Sequence, residues 1–597
     1  MLQPNDGTST AYRDHGNGLW GQEPMVEDRR VVLILRLITD ALIPERLNEW
    51  DSEVRKSNAG QKAAVSYTAA IVILLILAVE GSPLHFTKGA TLIQRRLTPH
   101  ARHILGIPEG LTWTQCYHAL QKAFTRLIAL ADPKPAKYGS KMTKAEAEAM
   151  IAARDADLCA RNQVRLDWLC NQLLYATVAA HPQMLDGWEG NVTIDATAYS
   201  VQDKAGQTSR SLYASIEPDA AFYMRDARHE DTDDPKRARK WLFGYEIHLV
   251  APAANTNPTP GTRQFVQPVI GISQCKPSER PAHFGLSAIT SAFSNFSSYM
   301  RGGLVVADRG YFANSKAEDL ALPVRALGMG IITDYKKEQL GVVDGYAGAD
   351  LIEGHFYCPA MPKPLQDVTS NMREHTVDPE LFVRRIDARH PYLLRRKAKP
   401  DKDGYTPMMC PAAGPNATVT CPLKPKDALR NSDKALLPIF TKNLPTHPDR
   451  ICNQTSVVFP PTAGAKFRQD VRYATREWFR LYRAARNFIE STNAFLKNQG
   501  RLALSSGDRR VARGYAKQYF LVTTLIFAAN LKRINTYLWE EANPKTAKQP
   551  RRRDQLNNFR WVPSTGRGKK PNGILDGHGP TEPFTDDLGE LEKDTEL

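Results

Sequence analysis

The stretch that decides the fold is RNFIESTNAFLK, residues 486–497. Residues 476–497 contain no Gly or Pro, and their apolar side chains recur at helical spacing, so this segment is predicted to be a helix. On such a helix Arg486, Glu490 and Lys497 stand at i−4, i and i+7 and project to one side. A carboxylate between two cations on one helix face suits a site that binds both a metal ion and a phosphate.

Two more acids each follow an apolar run that is typical of a β-strand. Asp195 ends the run VTID at residues 192–195, and Asp308 ends GLVVAD at residues 303–308, just before a turn. These acids and Glu490 are far apart in the sequence, so only a folded domain can bring them together. Two strand-end aspartates and a helix glutamate form the ligand set that two-metal phosphoryl transfer requires, in which carboxylate oxygens bind Mg²⁺ or Mn²⁺.

In combination, these residues resemble the DDE transposases of bacterial insertion sequences, specifically the group with a Tyr-x2-Arg-x3-Glu-x6-Lys signature. Arg486, Glu490 and Lys497 match the spacing of that signature. Arg483 takes the Tyr position, and Tyr482 lies one residue earlier.

The strands that carry the aspartates are also similar to those of this family. TIDAT at residues 193–197 resembles its first-Asp strand, ADRGY at 307–311 its second, and GYEIHL at 244–249 its Gly-Tyr-Lys-x-His strand, with Glu246 in place of Lys. The resemblance covers roughly residues 190–540. It implies an α/β fold with an RNase H-like, integrase-type catalytic core, whose elements follow in the order β-β-β-α-β-α-β and which is closed by the signature helix. The predicted strands and helices include strands at 192–199, 211–216, 242–251 and 330–334, and helices at 282–300, 315–327 and 508–541.

The resemblance implies a reaction as well. Asp195, Asp308 and Glu490 would bind Mg²⁺ or Mn²⁺, with two ions expected. An activated water would attack first, and the freed 3′-hydroxyl would then attack the target phosphodiester. The expected enzyme is therefore a DNA transposase that cleaves and joins the ends of an insertion sequence.

Further residues of the signature helix are expected to contact DNA. Arg486 and Lys497 would hold phosphates near the strand break, because charge-assisted hydrogen bonds position such groups. Tyr482 or Arg483 would stack on or clamp a flipped base. The partners would be the terminal inverted repeats and the target DNA, and pairing of two ends implies a dimer or a higher oligomer.

Each of these features also has a plainer explanation. An isolated Asp after an apolar run is most often a turn residue. Glu490 could be a solvated acid that pairs with Arg486, and such a pair stabilises a helix by only about 0.2–0.5 kcal/mol. His248, on an apolar strand, is expected to be a hydrogen-bonded structural residue. Two other functions stay open, namely a metal-dependent DNA nuclease of the same fold and a domesticated, non-catalytic DNA-binding protein. A pure binder, however, has no need to hold three carboxylates together against their repulsion.

Composition favours a nucleic-acid partner. The chain has 79 Lys and Arg against 64 Asp and Glu, a formal net charge of +15 and a pI near 9.3. A basic excess of this size attracts polyphosphates without choosing between DNA and RNA. No basic-then-apolar signal segment opens the sequence, and the strongest apolar run, residues 69–79, is shorter than the about 20 residues that cross a bilayer. We therefore expect a cytoplasmic, nucleoid-associated bacterial protein without membrane contact.

Six regions are predicted along the 597 residues. The second of them is expected to bind DNA, because Thr112 opens a helix after Gly110 in an arrangement like a helix-turn-helix, although helix pairs with this spacing are mostly ordinary packing. In the third, residues 226–240 are predicted to be a charged loop. The regions are a disordered N-terminus (1–25), an all-α region (26–183), the first part of the catalytic core (190–334), an insertion (335–470), the second part of the core (471–541) and a basic, then acidic, disordered tail (542–597).

The insertion contains half of the eight cysteines and is expected to have little helix. Cys358, Cys410 and Cys421 each precede a Pro, which stiffens the turn after a potential ligand, and Cys452 is the fourth. Two interpretations stay open. One is a structural Zn²⁺ bound by four thiolates, and the other is four free thiols in a reducing cytosol, since no pair has Cys-x-x-Cys spacing. The remaining cysteines are predicted to be packing residues: Cys116, Cys159, Cys170 and Cys275.

Overall fold

The computed structural model describes most of the chain between residues 24 and 543. The described residues are 24–55, 62–136, 142–202, 212–225, 240–256, 265–414, 416–424, 443–498, 500 and 502–543. Three predictions fall wholly or almost wholly outside these residues: the disordered N-terminus at 1–25, the charged loop at 226–240 and the basic, then acidic tail at 542–597.

The N-terminal part of the chain is helical, and several of its helices begin at residues whose side chains cap them. Ser66 accepts a hydrogen bond from the backbone N–H of Ala69 and starts a helix in which residues 69–78 are all buried, so the strongest apolar run is a core helix. Thr112 and Gln115 form a capping box at the start of another helix. None of the described helices is long and apolar enough to span a membrane. The helices are α1 (Asp28–Asp40), α2 (Ile43–Val54), α3 (Tyr67–Val79), α4 (Phe86–Thr91), α5 (Pro99–Ile104), α6 (Trp113–Ala129), α7 (Lys144–Ala152) and α8 (Ala156–Ala179).

A six-stranded mixed sheet follows, which confirms the α/β class. Its strands are β1 (Val192–Ser200), β2 (Ala221–Arg225), β3 (Lys240–Pro252), β4 (Gly271–Cys275), β5 (Leu304–Ala307) and β6 (Gly330–Thr333). The strand order is β2-β3-β1-β5-β6, with β4 paired to β3. β1 is antiparallel to β3 and parallel to β5, and β5 is parallel to β6. Three helices accompany these strands: α9 (Pro281–Met300), α10 (Arg309–Phe312) and α11 (Ala321–Ala326).

The register of β1 and β5 brings the two predicted aspartates side by side. Ile194 pairs with Ala307, and each is followed directly by an acid, Asp195 and Asp308. Because the strands are parallel, both carboxylates lie at the same edge of the sheet. Asp308 also caps α10, since its carboxylate accepts a hydrogen bond from the backbone N–H of Gly310.

The insertion consists of two small sheets and a few short helices. Two small antiparallel sheets of three strands each form there, in the orders β7-β8-β9 and β10-β11-β12. The helices there are short, in agreement with the expected low helical content, and the longest described one has ten residues, is capped by Asp378 and buries Phe382 and Ile386. The elements are β7 (Val342–Tyr346), β8 (Ala349–Ile352), β9 (His355–Tyr357), α12 (Lys363–Gln366), α13 (Val368–Arg373), α14 (Pro379–Ala388), β10 (Arg395–Arg396), β11 (Thr406–Met409), α15 (Arg450–Asn453) and β12 (Ser456–Phe459).

Two long helices complete the fold. The predicted signature helix is α16 (Arg476–Lys497), which is capped by Thr475 and contacts β1 and β5. The last helix, α17 (Tyr515–Ala542), packs against α3 and α8. One apolar cluster contains side chains of the N-terminal helices, the sheet and α17, so these three parts share a core.

Three sequence-based element predictions need correction. No strand covers the described part of residues 211–216, where Leu212 and Tyr213 are exposed, and the edge strand is β2 instead. The helix predicted at 315–327 is only α11 preceded by a short 3₁₀ turn. The helix predicted to begin at residue 508 begins seven residues later, after Gly514, whose φ of 115° is not helical.

Candidate active site

The three predicted acids meet around one guanidinium. Arg486 Nη1 lies 3.1 Å from Asp195 Oδ1, and its Nη2 lies 3.8 Å from Asp308 Oδ2 and 3.0 Å from Glu490 Oε1. Residues from β1, from the end of β5 and from α16 are thus brought together, although they are far apart in the sequence. The pairing of Arg486 with Glu490 alone is the plain helix contact expected one turn away, but the two aspartates are not explained by helix spacing.

Packing of α16 fixes the position of this arginine. Leu481, Ala485 and Ile489 are buried on the face of the helix that meets the sheet, and Trp478 is buried one turn earlier. Arg486 follows the buried Ala485 directly, so its side chain lies at the margin of the interface and is 16% exposed. The helix therefore places the guanidinium over the strand ends without burying it in the apolar core.

The environment of Asp195 differs from that of the other two acids. Its side chain is 17% exposed, compared with 41% for Asp308 and 60% for Glu490. Burial raises the pKa of the Asp195 carboxyl and the nearby Asp308 raises it further, while Arg486 opposes the shift. Asp195 is thus the inner acid, and Asp308 and Glu490 form the side that faces solvent.

Arg486 carries the charge that makes this group of acids tolerable. Burial alone would lower the pKa of its guanidinium, but Asp195 and Asp308 raise the pKa above its usual value. The guanidinium therefore stays positive and neutralises part of the repulsion among the carboxylates. A cation already occupies the place where the sequence predicts divalent metal ions.

Asn493 is a member of the site that sequence reasoning missed. Its Nδ2 donates a hydrogen bond to Asp195 Oδ2 at 2.9 Å, while its Oδ1 is buried without a hydrogen-bond partner. An unpaired buried acceptor is unusual and often marks a place for a water or an ion. The signal was in the sequence, since Asn493 lies seven residues after Arg486 and therefore on the same face of the helix.

The other predicted DNA-contacting residues have distinct surroundings. Lys497, which is half-buried, lies close enough to Glu246 to lower the pKa of its carboxyl, although burial raises that pKa overall. Tyr482 stacks on Trp478, with ring centroids 4.5 Å apart, and the Arg483 guanidinium lies 5.4 Å from the centroid of the Phe479 ring. Both Tyr482 and Arg483 therefore use one face in packing along α16.

A second group of possible metal ligands lies on the neighbouring strands. The ligand atoms of Glu246, His248 and Cys275 are within 4.8 Å of one another, and all three residues are buried, so this triad could hold a metal ion. His248 Nδ1 lies 2.7 Å from the hydroxyl of Tyr311, in agreement with the expected hydrogen-bonded histidine. Burial lowers the pKa of His248 to about 3, so the imidazole is neutral.

Sequence reasoning missed this triad because it did not predict β4. In the register of β3 and β4, Glu246 pairs with Cys275, and His248 follows on the same face two residues later. Cys275 was predicted to be a packing residue, yet its thiol lies 3.4 Å from His248 Nε2.

The four cysteines of the insertion come together in one apolar cluster and are all buried. No three of their sulfur atoms meet the 4.8 Å spacing of the Glu246 triad, which is the one such group among the described residues. The thiols are therefore neighbours without forming a tight ligand set.

Comparisons with family models, with curated proteins and with solved structures find no match to this chain. The geometry of the site is therefore the basis for inferring a function.

Proposed function

We propose that this chain is a DNA transposase that cleaves DNA at the ends of an insertion sequence and joins them to target DNA. The observation that carries the proposal is the meeting of Asp195, Asp308 and Glu490 at Arg486. A chain with no use for these acids would gain by replacing them, because three carboxylates held together repel one another.

The donors at this site fit Mg²⁺ or Mn²⁺. All three acids offer carboxylate oxygens, which hard divalent cations prefer, and the solvent-facing Asp308 and Glu490 leave a route of entry. The buried, unpaired Oδ1 of Asn493 is a further oxygen beside Asp195. When bound, two such ions would activate a water or a 3′-hydroxyl and stabilise the leaving oxygen.

The residues of α16 would then bind and orient the phosphodiester. Arg486 is paired with carboxylates in this structure, and its planar fork suits a phosphate equally well. Once the acids are neutralised in another way, the guanidinium can turn to the substrate. Lys497 lies about three turns beyond Arg486 on the same helix and would hold a second phosphate, while Asn493 keeps Asp195 in position.

The sheet supports an RNase H-like core for this proposal. An antiparallel pair, β1 and β3, adjoins the parallel strands β5 and β6, and the first two acids lie at the ends of adjacent strands. The net charge of +15 agrees with a DNA partner. Pairing of two element ends would require at least two copies of the chain.

The test is a cleavage and strand-transfer assay on a supercoiled plasmid that carries the DNA flanking the gene, with Mg²⁺ or Mn²⁺. Glu490→Gln should abolish both products and keep DNA binding in a gel-shift assay. Glu477→Gln is the matched control, because Glu477 is an exposed acid on the first turn of the same helix. Equal activity in the Glu490 variant would remove this residue from the site, and cleavage without joining would favour a nuclease.

A further inference from the structure

Three cysteines of the insertion begin the same kind of turn. In each, a Cys-Pro pair is followed by two residues, and the N–H of the fourth residue donates a hydrogen bond to the carbonyl of the cysteine. The three bonds are Met361 to Cys358 at 3.1 Å, Ala413 to Cys410 at 3.0 Å and Lys424 to Cys421 at 3.1 Å. Repetition of one turn at three separate places in the sequence indicates a shared requirement.

The fourth cysteine is brought to these turns by a buried lysine. Lys424 Nζ donates hydrogen bonds to the carbonyls of Ile451, Cys452 and Gln454 at 2.9, 2.7 and 2.7 Å. Because Lys424 belongs to the Cys421 turn, this contact fastens that turn to α15. A cation near the thiols would also help to offset the negative charge of several thiolates.

The four cysteines lie in one apolar cluster, and each is less than 10% exposed. Cysteine sulfurs are the ligands that Zn²⁺ most often has in structural sites, and four of them complete its tetrahedral coordination. The cluster therefore supplies the number and the kind of ligands that one structural zinc ion requires.

We propose that Cys358, Cys410, Cys421 and Cys452 bind one structural Zn²⁺ that holds the insertion together. The two sheets there have only three short strands each, and elements of this size are commonly stabilised by a metal or by disulfides. Zn–S bonds are about 2.3 Å long, so the ion would draw the sulfurs closer than their present spacing. The proposal is independent of the transposase proposal, because no sulfur of this group belongs to the acid site.

The test measures the zinc content of the full-length chain, purified under reducing conditions with Zn²⁺ supplied. We expect one zinc per chain in the wild type, and its loss in Cys358→Ser and in Cys421→Ser. Cys159→Ser should keep the zinc, because Cys159 lies on α8 and outside the cluster. Loss of zinc in Cys275→Ser alone would assign the metal to the Glu246 triad and overturn the proposal.

A second measurement on the wild type covers the case in which a variant does not fold. Removal of zinc with a chelator should open the insertion, residues 342–459, to limited proteolysis, and added Zn²⁺ but not Mg²⁺ should restore protection. Unchanged proteolysis after chelation, no zinc above background, or a disulfide between any two of the four cysteines would each overturn the proposal.

Discussion

Replacing Arg486 with Gln should make the stability of the core depend on divalent cations. Removing one partner of a buried ion pair costs about 3–5 kcal/mol. Because Arg486 and Asp195 are 16% and 17% exposed, we expect a loss of about 2–3 kcal/mol for this pair. The pairs with Asp308, at 3.8 Å, and with Glu490, which is 60% exposed, should each add less than about 1 kcal/mol. The Asp195 pair therefore dominates the loss.

Divalent cations should offset this loss in the variant more than they stabilise the wild type. A ligand present at 100 times its dissociation constant stabilises the folded state by about 2.7 kcal/mol, which is comparable with the expected cost. In the wild type the divalent cation competes with the guanidinium for the same carboxylates, so it should stabilise the folded state less than it does in the variant. The assay is thermal unfolding of both proteins with a chelator and with increasing Mg²⁺.

Arg480→Gln is the matched control for this experiment. Arg480 lies on the same helix and donates a hydrogen bond to the backbone carbonyl of Asn255 at 3.2 Å, away from the acids. Its replacement should lower the unfolding temperature by an amount that Mg²⁺ does not change. Equal Mg²⁺-dependent shifts in the wild type and in Arg486→Gln would refute the idea that the guanidinium occupies the place of a metal ion.

Three further predictions concern single interactions. Burial is the main cause of the raised pKa of Asp195, so the folded chain binds the proton of this carboxyl more tightly than the unfolded chain does. Protonation of Asp195 therefore stabilises the fold fully below about pH 3.9, and this stabilisation is lost as the pH rises through the folded pKa. The free energy of urea unfolding should accordingly depend less on pH in this range in Asp195→Asn than in the wild type. Tyr311→Phe removes the hydroxyl 2.7 Å from His248 Nδ1 and should lower the free energy of unfolding in urea by about 1 kcal/mol, and an unchanged value would show that this contact is not stabilising. Glu353→Gln breaks an ion pair with Arg389 in which both side chains are at most 3% exposed. Thermal unfolding should show that the free energy of unfolding falls by about 3–5 kcal/mol. A decrease below about 1 kcal/mol would contradict the assignment of a buried pair.

The helix that carries the signature was predictable because its evidence is local. Residues 476–497 lack Gly and Pro and have an apolar stripe, and α16 has the same bounds. β4 was not predictable in this way. Its sequence GISQC alternates weakly, and Ser273 and Gln274 are buried only because both faces of the strand are covered by other elements. Local patterns cannot show such coverage, which is set by tertiary packing.

The acids of the site were predictable individually, but their common partner was not. The sequence places Arg486 one turn from Glu490, and that spacing alone indicates a surface ion pair that stabilises the fold only slightly. The contact of Arg486 with Asp195 depends on the parallel register of β1 with β5 and on the docking of α16 across both strands. The same docking brings Asn493 to Asp195, a contact for which the sequence offers only a position on the correct face.

The two proposed metal sites should respond in opposite ways to chelation. At the acid site Arg486 already neutralises the carboxylates, so the core can fold without a divalent ion, and removing Mg²⁺ should stop the chemistry while the core stays folded. In the insertion, Lys424 lies near the four cysteines, but its Nζ donates to three backbone carbonyls and so does not hold the sulfurs together as a metal ion would. A chelator that removes Zn²⁺ should therefore loosen the insertion. Loss of the fold of the core on removal of Mg²⁺ alone would contradict the role assigned to Arg486.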